Sequence, residues 1–208
     1  MTLENQKVSA IILAAGRGNR FHGRKQFISL HGKQMWEYPY AEAVSILGAE
    51  RVKVVGIDVP GGETRTQSVI NGLDALNSDT KRVLIIEAAR PLVKADDLQQ
   101  LIRDDSPSTT FVRPLVNTVV FRNGAYVNRD ELYELLTPQA FDYQLLFKAL
   151  HSGGFTNMTD ETRVMFEYHK ILPHFIETTS PLFKVTYPED IFIVENIMNQ
   201  GKLKEVER

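Results

Sequence analysis

The chain has 208 residues, 24 of them Lys or Arg and 26 Asp or Glu, for a formal charge of −2; the length suits one domain over 1–208, and the near balance leaves no global field to attract nucleic acid or an anionic membrane surface. There is no cysteine, which excludes disulfides, thiolate nucleophiles and cysteine zinc sites, and none of the 5 histidines forms the His-x-x-x-His pair of a zinc-binding helix. The start, Met1 to Lys7, lacks a basic segment running into an apolar one, and no stretch reaches transmembrane length, so a cytoplasmic location without membrane contact is expected.

The first element, Val8-Ser9-Ala10-Ile11-Ile12-Leu13, is a nearly continuous apolar run and reads as a central parallel strand buried on both faces. It leads straight into Ala14-Ala15-Gly16-Arg17-Gly18-Asn19-Arg20. A helix is expected around Met35 to Leu47 and a strand from Arg51 to Ile57, after which Pro60-Gly61-Gly62 breaks the chain. Val69, Leu73 and Leu76 recur at helical spacing, placing Ser68 near a helix start. The strand Val83 to Ile86 ends at Glu87, and a short helix from Ala95 to Arg103 carries Leu98, Leu101 and Ile102 as its apolar face.

From Thr109 to Arg129 the pattern changes to polar and apolar alternation with a turn at Asn123-Gly124, an excursion expected to form a β-rich dimerisation arm over about 109–138. Phe141 to His151 and Asp160 to Tyr168 return to helix, and strands are expected near Phe175 and over Phe183 to Thr186. Pro188-Glu189-Asp190 opens the last helix, with proline and two acids suited to its positive end. The expected fold is α/β and Rossmann-like, a mostly parallel twisted sheet flanked by helices.

A strand followed by Gly16-x-Gly18 can cradle phosphates, because glycines let backbone N–H groups approach a ligand. A dinucleotide fingerprint requires a third small residue where this chain has Phe21, and Gly23-Arg24-Lys25-Gln26 lacks the order of a Walker loop. What remains is a glycine loop followed by Arg17, Arg20, Arg24 and Lys25, cations dense enough to neutralise a triphosphate. Alone, this pattern equally describes a tight strand-to-helix turn with solvated cations.

Further segments stand in a specific order: Ala14-Ala15-Gly16-x-Gly18-x-Arg20, Lys25-Gln26-Phe27, Gly61-Gly62-x-x-Arg65-x-x-Ser68-Val69-x-x-Gly72, Ala88-Ala89-Arg90-Pro91, Thr137-Pro138-Gln139-x-Phe141, Thr159-Asp160-Glu161 and Lys184-Val185-Thr186-x-Pro188-Glu189-Asp190. Taken together over about residues 8 to 198, they resemble the methylerythritol-phosphate and ribitol-phosphate cytidylyltransferase family. The resemblance implies that Ala14, Ala15, Gly16, Arg17, Gly18 and Asn19, with Gly62 and Ser68, hold CTP, and that Arg20, Lys25 and Lys184 are catalytic cations. It further implies transfer of CMP to a small phosphorylated acceptor, Mg²⁺ or another divalent cation at Glu87, and a homodimer whose acceptor site includes Arg90, Thr118 and Lys148.

Several positions depart from the family pattern. Glu87 stands where aspartate is usual, Lys148 where arginine is usual, and Pro-Lys-Gln has become Arg24-Lys25-Gln26. The stretch between Arg51 and Arg65 has room for one strand where a strand, a helix and another strand are expected, so an edge unit of the sheet should be missing. Val120 and Asn128 to Tyr133 resemble the ribitol-phosphate branch, making an alditol phosphate such as ribitol 5-phosphate or methylerythritol 4-phosphate the expected acceptor. The alternatives are another phosphate or phosphonate acceptor, or a non-catalytic nucleotide-binding relative.

Overall fold

A computed structural model of the chain describes residues 7 to 206, so the start at Met1 to Gln6, on which the expected lack of a leader rests, lies outside the described residues. In chain order the elements are β1 (Val8–Leu13), the short hairpin β2 (Ser29–Leu30) and β3 (Lys33–Gln34), α1 (Glu37–Leu47), β4 (Val52–Val55), α2 (Arg65–Asp74), β5 (Arg82–Glu87), α3 (Ala95–Arg103), β6 (Ser108–Pro114), β7 (Tyr133–Asp142), α4 (Tyr143–Leu150), α5 (Glu161–His169), β8 (His174–Glu177) and α6 (Asp190–Val206). Among the described residues no helix is long and apolar enough to cross a membrane.

Six strands form one sheet in the order β4-β1-β5-β7-β6-β8. The pairs β1–β4, β1–β5 and β6–β8 are parallel, and β7 runs antiparallel to both of its neighbours. Strand residues alternate between the two faces, and both faces are covered. Ala10, Ile12, Val54, Leu84 and Ile86 join the cluster under α1 and α3, whereas Ile11, Val55, Val83 and Ile85 join the one under α2, α4 and α5. The unbroken apolar runs of β1 and β5 follow from this double burial. A third cluster of Phe21, Leu30, Met35, Leu92, Val185 and Val194 lies beneath the segment after β1 and fastens α6 and the residues before it to that segment.

Helix starts follow local chemistry. Thr64 caps α2 by accepting from Gln67 N at 3.1 Å, so the helix opens at Arg65 and Ser68 lies in its first turn, near the start as expected. Asp142 caps α4 and Asp160 caps α5 through their carboxylates. In α3, Leu98, Leu101 and Ile102 are buried as their spacing predicts.

Two expectations need correction. Residues 108–114 and 133–142 are strands of the main sheet, so the excursion is confined to the stretch between them, where Val120 bridges Tyr126 across the turn near Asn123-Gly124. Phe183 to Thr186 is not a strand; it is an irregular strap whose Val185 N donates to Ala89 O at 2.9 Å, because the neighbouring chain there is itself a turn with no ladder to extend. The helix expected around Met35 to Leu47 is α1 at Glu37–Leu47, Met35 being tied back by its N–H to Ile28 O. The short stretch after Arg51 does hold a single strand, β4, which forms one edge of the sheet.

Candidate active site

The parallel register sets Leu13 beside Glu87 and, on the other side, beside Val55. The ends of β4, β1 and β5 therefore open together, and ligands of open α/β sheets bind outside such carboxyl ends. A cavity of about 490 Å³ lies there, lined by the loop from Ala15 to Arg20, the segment Gly62 to Arg65 with Ser68, and Lys25, Glu87 and Lys184.

The loop is built by backbone demands. Gly18 has φ +67°, and a Cβ there would sit 1.8 Å from Gly23 O, so the turn closes only with glycine. Gln26, itself buried, donates its amide to Ala14 O at 2.6 Å and to Gly16 O at 3.1 Å. These bonds satisfy two carbonyls left unpaired where β1 ends, and they hold the loop open toward the cavity. Across from it, Ser68 Oγ accepts from Gly62 N at 3.0 Å and donates to Thr64 O at 3.0 Å, bracing the second wall.

Five cations, Arg17, Arg20, Lys25, Arg65 and Lys184, line the cavity against two acids, Glu63 and Glu87. Lys25 reaches the strap by donating to Val185 O. Burial, and then the neighbouring Lys184 charge, push the Lys25 ammonium below its ordinary value despite the opposing pull of Glu87. Cations held together against their own repulsion favour a polyanionic occupant.

Glu87 is the hub of the charges. Its Oε1 accepts from Lys184 Nζ at 2.8 Å, its Oε2 accepts from Thr137 Oγ1 at 3.1 Å and lies 3.6 Å from Arg90 Nε. Burial opposes its ionisation, but Lys184 and Arg90, with Arg65 further off, prevail and hold the carboxyl at about 2. Among the described residues no group of three or more His, Asp or Glu could hold a metal by itself. One ionised carboxylate at the edge of a cation-lined cavity does fit Mg²⁺ that arrives on a nucleotide's phosphates and keeps water ligands, the usual manner of Mg²⁺ binding.

Arg65 pairs with Glu161 through both terminal nitrogens, Nη2 at 2.8 Å from Oε2 and Nη1 on Oε1, and Glu161 is fully buried. Burial works against the Arg65 charge, and the attraction and hydrogen bonds of Glu161 reverse that and raise it above the ordinary arginine value.

The structure thus brings Ala15, Gly16, Arg17, Gly18, Asn19, Arg20, Lys25, Gly62, Ser68, Glu87 and Lys184 to one cavity. Ala14 is buried behind the loop and presents its carbonyl to Gln26 instead. Arg90 is also buried; its Nε donates to Thr137 Oγ1 at 2.7 Å and its Nη1 to Leu182 O, tying β7 and the strap to the end of β5. Thr118 lies exposed in the excursion and Lys148 exposed on α4, and neither lines the cavity of its own chain. Gln26, Thr64, Arg65 and Glu161 were not singled out as site residues from sequence. All but Thr64 are lettered positions of the motifs, which was the available signal.

A family model for 2-C-methyl-D-erythritol 4-phosphate cytidylyltransferase matches residues 37–200, and one for the MobA-like NTP transferase domain matches 10–61. The chain is 31% identical to a 2-C-methyl-D-erythritol 4-phosphate cytidylyltransferase of Actinobacillus pleuropneumoniae serotype 3 over 232 positions, 97% of this chain and 99% of that one. It is 29% identical to the Haemophilus influenzae protein of the same name, over 95% of this chain and 99% of that one. The fold is similar to a 4-diphosphocytidyl-2C-methyl-D-erythritol synthase of Anaerococcus prevotii, with TM-score 0.78, 21% identity and coverage of 95% and 98%. The bifunctional IspDF of Campylobacter jejuni gives TM-score 0.77 and 26% identity over 88% of this chain and 53% of that one.

Proposed function

The chain belongs to the 2-C-methyl-D-erythritol 4-phosphate cytidylyltransferase family and is a nucleotidyltransferase, and from that premise we propose that it transfers CMP from CTP to 2-C-methyl-D-erythritol 4-phosphate with release of pyrophosphate. The observation that carries the reading is the glycine loop lining one cavity together with Arg20, Lys25 and Lys184 at the sheet's open end. The names of the relatives favour this acceptor over ribitol 5-phosphate.

In the proposed reaction an oxygen of the acceptor phosphate forms a bond to the α-phosphorus of CTP as the bond to the pyrophosphate oxygen breaks. The acceptor phosphate is already ionised at neutral pH, so no protein base or nucleophile is needed. Backbone N–H groups from Ala15 to Asn19 bind and orient the triphosphate, while Arg20, Lys25 and Lys184 offset charge growing on the phosphoryl oxygens. Glu87 would hold Mg²⁺ together with the phosphates, and the ion would add further charge neutralisation there.

Thr118 and Lys148 stand away from their own cavity, so their part in acceptor binding requires a second copy of the chain. The exposed Val116, Val120, Phe121 and Tyr126 of the excursion support such a homodimer. The test is pyrophosphate release from CTP with 2-C-methyl-D-erythritol 4-phosphate, compared with ribitol 5-phosphate and a phosphonate panel. No release with any acceptor would leave a nucleotide-binding protein without this chemistry.

A further inference from the structure

We propose that Arg65 is a phosphoryl-binding residue of the cavity and that Glu161 is the positioning residue that presents it; this rests on the reading of the cavity as a nucleotidyltransferase site. Arg65 is the first residue of α2, where the positive end of the helix dipole disfavours a cation. The helix gains nothing from it. Glu161 bears the full penalty of burial, with a side chain at 0% accessibility, and a buried ion pair of this kind seldom stabilises a fold more than apolar packing would. Stability is therefore a poor explanation for keeping both charges.

The geometry offers a better one. Because Nη1 and Nη2 both donate to Glu161, the plane of the guanidinium is fixed. That end-on pairing leaves the side edge, made of Nε–H and the outer N–H of the adjacent amino group, free to bind. Nε makes no hydrogen bond among the described residues; its nearest acid, Glu87 Oε1, is 4.0 Å away, too far for one. Arg65 lines the cavity next to Glu87 and Lys184. A fork of two parallel donors matches two oxygens of one phosphoryl group, which the single ammonium of a lysine cannot reproduce.

The clamp is anchored on both sides. Asp160, which caps α5, receives Gln139 Nε2 from β7 at 2.8 Å, and Met158 N donates to Thr66 Oγ1 at 2.7 Å, joining the start of α5 to the start of α2. Two helix ends and a sheet strand thus hold one guanidinium edge in the cavity. The phosphoryl group could belong to the triphosphate or to the acceptor, and the two ligands can be titrated separately.

The test is calorimetric titration of the full chain with CTP and, separately, with 2-C-methyl-D-erythritol 4-phosphate, for the wild type, Arg65→Lys, Glu161→Gln and the double variant Arg65→Met with Glu161→Leu, alongside thermal melting. Arg65→Lys should weaken one of the two ligands by about tenfold or more, the effect of losing a charge-assisted pair of bonds. The double variant should melt within a few degrees of the wild type yet show the same weakening, with Glu161→Gln between. Wild-type affinity for both ligands in Arg65→Lys overturns the proposal, whatever the double variant's melting point. If the wild type binds CTP but releases no pyrophosphate, and Arg65→Lys still binds more weakly, the proposed reaction fails while this inference stands. In the converse case, full turnover by the wild type with unchanged binding by Arg65→Lys, the reaction stands and this inference fails.

Discussion

Lys184 donates to Glu87 Oε1 at 2.8 Å, fastening the strap before α6 to the end of β5. The two charges satisfy each other in a part-buried setting, so removing either leaves the other facing Arg90, Lys25 or an unfilled bond. The same contact places a flexible, strongly hydrated ammonium and a hard carboxylate within reach of one ligand.

Glu87→Gln should destabilise the fold at neutral pH. The carboxyl is held down from 4.5 to about 2 in the folded chain, which corresponds to roughly 3 kcal/mol of stability. Because the folded value lies below the unfolded one, this stability is present above the unfolded value and is lost as pH falls toward about 2. Urea unfolding of both proteins between neutral and acid pH should show a gap that narrows on acidification. A gap independent of pH would contradict the ion-pair assignment.

Gln26→Glu reverses the polarity of the groups facing Ala14 O and Gly16 O, setting a carboxylate against two carbonyls. Leaving buried acceptors unpaired costs about 1–3 kcal/mol. Thermal melting should report that loss, and CTP affinity should fall with it as the loop loses its brace. Gln26→Glu with wild-type affinity would show that the loop holds its shape without this side chain.

Gly18 and Gly16 separate folding from binding. At Gly18 a methyl would strike Gly23 O in a turn that already requires positive φ, whereas at Gly16, which lines the cavity, nothing lies within 4 Å of an added Cβ. Gly18→Ala should lower the melting temperature, and Gly16→Ala should leave it unchanged while weakening CTP. The opposite pattern would mean the loop's two glycines have exchanged roles.

Lys25→Ala and Arg20→Ala should slow pyrophosphate release by roughly a hundredfold or more, the cost of removing one donor from a charge-stabilising site. Lys33→Ala, at an exposed position of the β3 hairpin, is the control and should leave the rate unchanged. Equal rates in all three variants would remove Lys25 and Arg20 from the chemistry.

Much of the sheet was legible because β1 and β5 are buried on both faces and their apolar runs admit no other reading. The helix α3 was legible from Leu98, Leu101 and Ile102, and the cavity-lining loop from its glycines and cations. The strap at Phe183 to Thr186 was not: its alternation looks like a strand, but Ala89 offers it one backbone bond and no ladder. Ser68 was legible as lying near the start of α2, but the opening residue was not, because Thr64 carries no apolar period and is recognisable only by its cap. Sequence also could not tell which charged motif residues face the cavity. Arg65 and Arg90 are both arginines of ordered motifs, yet one lines the cavity and the other is taken up by Thr137 and Leu182. Side-chain direction at the end of a strand or helix depends on partners far away in the chain, here Glu161 and the strap.

The most direct measurement is the rate of pyrophosphate release from CTP with Mg²⁺ and 2-C-methyl-D-erythritol 4-phosphate, followed with ATP and UTP as alternative nucleotides and ribitol 5-phosphate as alternative acceptor. A cytidylyltransferase of this kind should require both substrates, prefer CTP strongly and turn over the methylerythritol phosphate fastest. Absence of release with that acceptor, or equal rates with ATP and UTP, would contradict it.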